Sequence, residues 1–101
     1  MTYVLVTHLI HQEDDPSEVY SELDENHMEV RRLEFYENGI HFQYGEENGN
    51  CEALAKEPFP ADLGTLNRPG ETEVQAIPAR VFWDVWNQAL ELPSGLMGIF
   101  L

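Results

Sequence analysis

Only one cysteine and five basic residues occur in this 101-residue chain, and long apolar runs are missing. Each shortage excludes something. Cys51 has no internal partner, so no disulfide framework holds the fold, and cysteine usage gives no sign of an oxidising compartment. A helix needs about 20 apolar residues to cross a bilayer. The longest candidate, LPSGLMGIFL at 92–101, is half that length. The opening MTYVLVTHLIHQEDD lacks a basic start and a small-residue cleavage pattern, and it reads as a first strand instead of a signal peptide. A cytoplasmic setting is therefore expected. The scarcity of Lys and Arg also argues against direct binding to nucleic acid, where phosphate charge must be offset. It argues equally against an anionic membrane surface.

Acid is what the chain has in excess. Nineteen Asp and Glu oppose the five bases, for a formal charge of −14. Residues 1–50 hold twelve acids against two bases, a net −10, and residues 51–101 hold seven against three, a net −4. A field of this sign speeds the capture of a basic partner. The simpler alternative is an acidic surface that only keeps the protein soluble. The length suits one domain, residues 1–101, which should bury roughly 60–65% of the surface its unfolded chain exposes.

Periodicity then predicts the elements. YVLVTHLI at 3–10 is β-branched and aromatic, the pattern of an interior strand. HQEDDPSE is a surface loop. Alternation resumes at Val19, and a reversal at Glu25–Asn26 places Leu23 opposite Met28, Ser21 opposite Val30 and Glu22 opposite Glu29. Tyr20 then lies across from Arg31, where a cation–π contact is available. The phase slips between Val30 and Leu33, which predicts a bulge at Arg31–Arg32. Asn38-Gly39 suits a type I′ hairpin turn. That turn pairs Phe35 with Phe42 and Leu33 with Tyr44, and it leaves Arg32, Glu34, Tyr36, His41 and Gln43 on the other face.

The stretch from 46 to 71 is irregular, with a short strand expected around Cys51–Leu54 and some packing, since long structureless connections are uncommon. Glu71–Ile77 is a strand, and Pro78 opens a helix over 79–92. Val81, Phe82, Trp83, Val85, Trp86, Ala89 and Leu90 occupy an arc of roughly 200° on that helix. The apolar tail is expected to return as an edge strand or to cover the helix flank. The fold class that follows is α+β: a four- or five-stranded, largely antiparallel sheet with one C-terminal helix packed on one face.

No chemistry stands out. His8 and His11, three apart on a strand, point to opposite faces and would need a bend to share a metal. The acids from Glu13 to Glu18 lack the alternation and glycine of a calcium loop. Nineteen carboxylates make any catalytic pair arbitrary. Ser21 and Cys51 lack the context of an activated nucleophile. No catalytic, cofactor-binding or metal residue is assigned, and no cofactor is expected. The candidate protein-binding residues are Tyr20, Glu22, Glu29, Glu34 and Tyr36 on the outer sheet face, with Trp83 at the margin of the helix stripe. Rigid aromatics among carboxylates suit recognition. The alternative is that the tyrosines pack over the sheet and Trp83 joins the core or the tail.

At YSELDENHMEVRRLEFYENG the chain resembles a family of small bacterial domains of unknown function. The likeness rests on Tyr20–Asp24, Glu29-Val30-Arg31, Glu34–Gly39, and Ala79, Phe82 and Trp86 of the late helix, and it covers most of residues 3–90. It implies a bacterial cytoplasmic setting and brings no activity, ligand or catalytic residue. In brevity and acidity the chain is also similar to immunity proteins of bacterial toxin systems. The function expected is a non-catalytic acidic protein that docks onto a basic partner, most specifically an immunity-type inhibitor of a toxin nuclease. The alternatives are a small hydrolase using a carboxylate and a histidine, or an acidic structural or adaptor domain.

Overall fold

The run of β-branched residues at the start of the chain forms strand β1 (Thr2–His8) in a computed structural model that describes residues 1–90. Strands β2 (Glu18–Leu23), β3 (Glu29–Phe35) and β4 (His41–Gly45) follow. Short 3-10 turns at Glu46–Asn48, Cys51–Ala53 and Leu63–Leu66 lead to β5 (Thr72–Ile77) and helix α1 (Ala79–Leu90). The sheet order is β4-β3-β2-β1-β5, and every pairing is antiparallel. The architecture is α+β, as expected. The fate of the tail and the helix end beyond Leu90 lies outside the described residues.

Each face of the sheet carries a buried cluster. On one, Phe82, Trp86 and Ala89 of α1 bury against Leu33, with Tyr3, Tyr20, Phe35 and Ile77 around them. The buried spacing of four and three residues is that of a single helical stripe. On the other face, Val4, Leu23 and Val74 form a smaller cluster that Phe59 and Leu63 of the irregular segment close. The long connection does pack, therefore, with Phe59 N–H also donating to the His27 carbonyl at 2.8 Å. The strand expected at Cys51–Leu54 is instead one of the 3-10 turns.

The two hairpins depart from their expected registers for one reason. The sequence pattern predicts a two-residue loop at each, and both are three-residue loops whose last residue takes the left-handed conformation. Glu25-Asn26-His27 ends on His27 at φ 64°, and Glu37-Asn38-Gly39 ends on Gly39 at φ 88°. A type I turn followed by a left-handed residue needs positive φ once, where type I′ needs it twice. Side chains complete both turns: the Asp24 carboxylate accepts from the N–H groups of Asn26 and Met28, and the Asn38 amide oxygen accepts from Ile40 N–H.

The shift by one residue reverses β4. Phe35 pairs with His41 and Leu33 with Gln43, so His41 and Gln43 face the helix. Phe42 and Tyr44 lie on the opposite face, against the expected register. In β3 the bulge falls at Val30, one residue before the expected place: Leu23 pairs with Glu29, and Glu22 with Arg31. The expected pairing of Glu22 with Glu29 is thereby replaced by one of opposite charge. Arg31 lies over the Trp83 ring, at 5.1 Å from its centroid, where Tyr20 had been expected.

The outer edges are partly plugged by asparagines. The Asn50 side chain accepts from Gly45 N–H at 3.1 Å and donates to the Gln43 carbonyl at 2.9 Å on β4. The Asn67 amide oxygen accepts from Val74 N–H at 2.6 Å on β5. Each supplies hydrogen bonds that an added strand would otherwise make.

Candidate functional site

Two adjacent rows across the sheet carry the charge. On the helix face, Tyr3, Glu22 and Arg31 are cross-strand neighbours on β1, β2 and β3. Glu22 is 2% exposed, accepts from the Tyr3 hydroxyl at 2.9 Å, and forms an ion pair with Arg31 Nη1. Arg31 Nε reaches Glu47 at 2.7 Å, and the Trp83 indole N–H donates to the Tyr3 hydroxyl at 3.2 Å. Burial works against the Arg31 charge, but the Glu47 and Glu22 carboxylates outweigh it and raise the Arg31 pKa. Burial likewise opposes ionisation of Glu47, and Arg31 overcomes it to hold that carboxyl below its usual range.

The next row, one residue along, points to the other face. Ser21 and Arg32 are cross-strand neighbours there. Glu29 accepts from the Ser21 hydroxyl at 2.7 Å, from Ala55 N–H at 2.9 Å and from Arg32 Nη1 at 3.2 Å. Residues three apart on a regular strand point to opposite faces. The extra residue Val30 is what turns Glu29 and Arg32 to the same one. Arg32 also pairs with Glu34 at 3.1 Å, donates to the Ala53 carbonyl, and lies 5.0 Å over the Tyr44 ring. Glu34 in turn accepts from the hydroxyls of Tyr36 at 3.0 Å and Tyr44 at 3.4 Å. Both arginines thus reach the segment between 46 and 55 and fasten it to the sheet from opposite faces.

The six candidate residues therefore do not share one surface. Tyr20, Glu22 and Trp83 belong to the helix side, and Glu29, Glu34 and Tyr36 to the other. Glu22 and Glu29 are buried, while Tyr20, Glu34, Tyr36 and Trp83 are half-buried. Tyr20 packs edge-on against Phe35 at 5.9 Å. Sequence reasoning missed Glu47, whose role needs the register of the Arg31 row. It also missed the exposure of Phe42 and the pairing of His11 with Glu37. The ring of His11 contacts the His8 carbonyl through Nδ1 at 2.7 Å and Glu37 through Nε2 at 2.8 Å. Among the described residues, no three of His, Cys, Asp and Glu converge as a metal site would require. None of the described helices is long and apolar enough to cross a membrane.

All four tyrosines are set against ionisation. Burial raises each pKa, helped by Glu22 at Tyr3, by Glu18 at Tyr20 and by Glu34 at Tyr44. Burial and the hydrogen bond to Glu34 push Tyr36 up to about 12. A phenol pKa raised by folding stabilises the protein fully below its ordinary value near 10, and that contribution is lost as pH climbs through the folded value. Ultraviolet titration of the folded protein should show every tyrosine ionising above the ordinary range, Tyr36 near 12. A tyrosine titrating in the ordinary range in folded protein would contradict these contacts.

No curated protein and no solved structure matches the chain. A family model described as a domain of unknown function (DUF6881) matches residues 2–91. That span takes in both arginine networks, all five strands and the helix, and the chain belongs to this family.

Proposed function

We propose that this is a non-catalytic acidic binding protein of the cytoplasm that docks onto a basic protein, most specifically as an immunity-type inhibitor of a toxin nuclease. One observation carries the reading. Arg31 and Arg32 are taken up by Glu22, Glu47, Glu29 and Glu34, so they do little to offset the acids outside. Glu13, Asp14, Asp15, Glu71 and Glu73 are exposed, with no cation within 4.0 Å among the described residues. A nuclease must present basic residues to phosphate, and an acidic domain can compete for that surface. Charge speeds the encounter, and aromatic anchors supply most of the lasting affinity. Of the three aromatic candidates Tyr36 is the anchor proposed, because Tyr20 and Trp83 lie on the helix side and pack against its core. In this reading Glu22, Glu29 and Glu34 act mainly from beneath, by holding Arg31, Arg32 and the tyrosine hydroxyls in place.

The hydrolase alternative draws on the His11–Glu37 pair, which borders a depression of about 390 Å³. Both ring nitrogens of His11 are already engaged. A general base needs one of them within reach of the proton it removes, which makes binding the better reading.

The test is affinity capture from cells that encode a candidate toxin, followed by association kinetics with the recovered protein. One basic protein should be recovered, and its association should slow by about tenfold or more between low and high salt. Recovery of no specific partner, or rates indifferent to salt, would overturn the proposal.

A further inference from the structure

Phe42 is 40% exposed and joins neither core cluster, although it lies on a strand. Its ring meets that of Tyr36 edge-on, with centroids 5.8 Å apart and an interplanar angle of 89°. With Ile40 the two rings line a groove of about 430 Å³, bordered by Asn38 and by Glu13 and Asp14 of the loop after β1. That size falls at the small end of ligand sites, about 300–1,000 Å³.

The groove is held open by contacts on both sides. The Tyr36 hydroxyl is fixed on Glu34, and Tyr36 N–H donates to the Ile40 carbonyl at 2.9 Å. Across from it, His11 ties the loop to the hairpin tip through its contact with Glu37. A site made ready in this way saves ordering entropy on binding.

Charge selects the occupant. The residues lining the groove include two exposed carboxylates and no Lys or Arg. Aromatic faces carry negative charge density and attract a cation, and an apolar stem can lie along the rings while its charged end meets the carboxylates. An anion or a nucleic acid is disfavoured by the same groups. We propose that this groove receives a lysine or arginine side chain from a protein partner, seated against Tyr36 and Phe42 with its charge toward Glu13 and Asp14. The assignment rests on the basic-partner reading above and adds to it a specific seat that the six sequence-derived residues, apart from Tyr36, do not include.

The test uses the full chain and a blocked peptide, acetyl-Gly-Arg-Gly-amide, with a control in which neutral citrulline replaces arginine. Amide shifts are followed by NMR at low salt. The arginine peptide should shift Glu13, Asp14, Tyr36, Ile40 and Phe42 selectively, and citrulline should bind about fivefold more weakly or worse, the scale of one cation–π contact. Phe42→Ala should weaken the arginine peptide by a similar factor. Phe42→Leu, which keeps apolar bulk without the ring, guards against a folding effect and should weaken it likewise. Shifts spread over Glu71, Glu73 and other surface acids, with affinity unchanged in both Phe42 variants, would reject the groove and leave the acidic-partner reading standing. Absence of any arginine-dependent shift at low salt would also reject the groove, while the basic-partner reading stands or falls on the capture and salt kinetics above.

Discussion

Replacing Phe82 with alanine is expected to cost about 3–5 kcal/mol, the range for a fully buried aromatic. Phe82 has no exposed surface and sits where the helix meets the sheet. Its ring lies 5.1 Å from Tyr3, 5.2 Å from Trp83 and 5.8 Å from Trp86. Removing it leaves a void between large rigid rings, which cannot close over it as flexible aliphatic chains would. A domain of this size has only about 5–15 kcal/mol in all. The variant should therefore unfold at a much lower urea concentration than the parent, with an unchanged slope. A loss below about 1 kcal/mol would mean that the helix does not dock as described.

Arg31→Ala should cost a comparable amount by a different route. The side chain of Glu22 is 3% exposed, and it would keep only the Tyr3 hydroxyl among its present partners. Removing one member of a buried ion pair typically costs about 3–5 kcal/mol, because the other is left charged and poorly solvated. Arg31 is itself partly exposed, so water entering the gap should hold the loss to the lower part of that range. The double variant Glu22→Leu/Arg31→Met removes both charges and keeps apolar bulk. It should recover most of the loss, and urea titration of Glu22→Leu, Arg31→Met and the double gives the coupling directly. Single and double variants of equal stability, both near the parent, would show that the pair is not buried as described.

The contrast between these two sites also marks what the sequence reveals. The helix stripe is legible because its period of 3.6 is carried by seven apolar residues, and Phe82, Trp86 and Ala89 are buried as that stripe requires, whereas Leu90 at its margin is exposed. The strands are legible for the same reason. Their registers are not, because a slip of one residue turns on whether a loop needs one left-handed residue or two. His27 in that conformation gives no sequence signal, and Asn38-Gly39 is compatible with either loop. Once the β4 register shifts, Phe42 moves from the expected core to the open face, and the aromatic groove comes into view.

The arginine networks were hidden by a general expectation, that charged residues on strands face water. Glu22 and Glu29 contradict it only because Arg31 and Arg32, neighbours in sequence, point to opposite faces and meet one of them each. Two of the five basic residues standing side by side was the available signal. The Val30 bulge that brings Glu29 to Arg32 was expected one residue later, and that single position decides which acid each arginine meets.

In the function proposed above, exposed acid on this domain blocks the basic surface of a nuclease. The direct assay mixes a candidate basic toxin nuclease from the same cells with increasing amounts of the protein at several salt concentrations. Inhibition should be complete near equimolar protein at low salt and should weaken as salt rises, relative to the nuclease alone at each concentration. Full nuclease activity in a molar excess of the protein at low salt would contradict it.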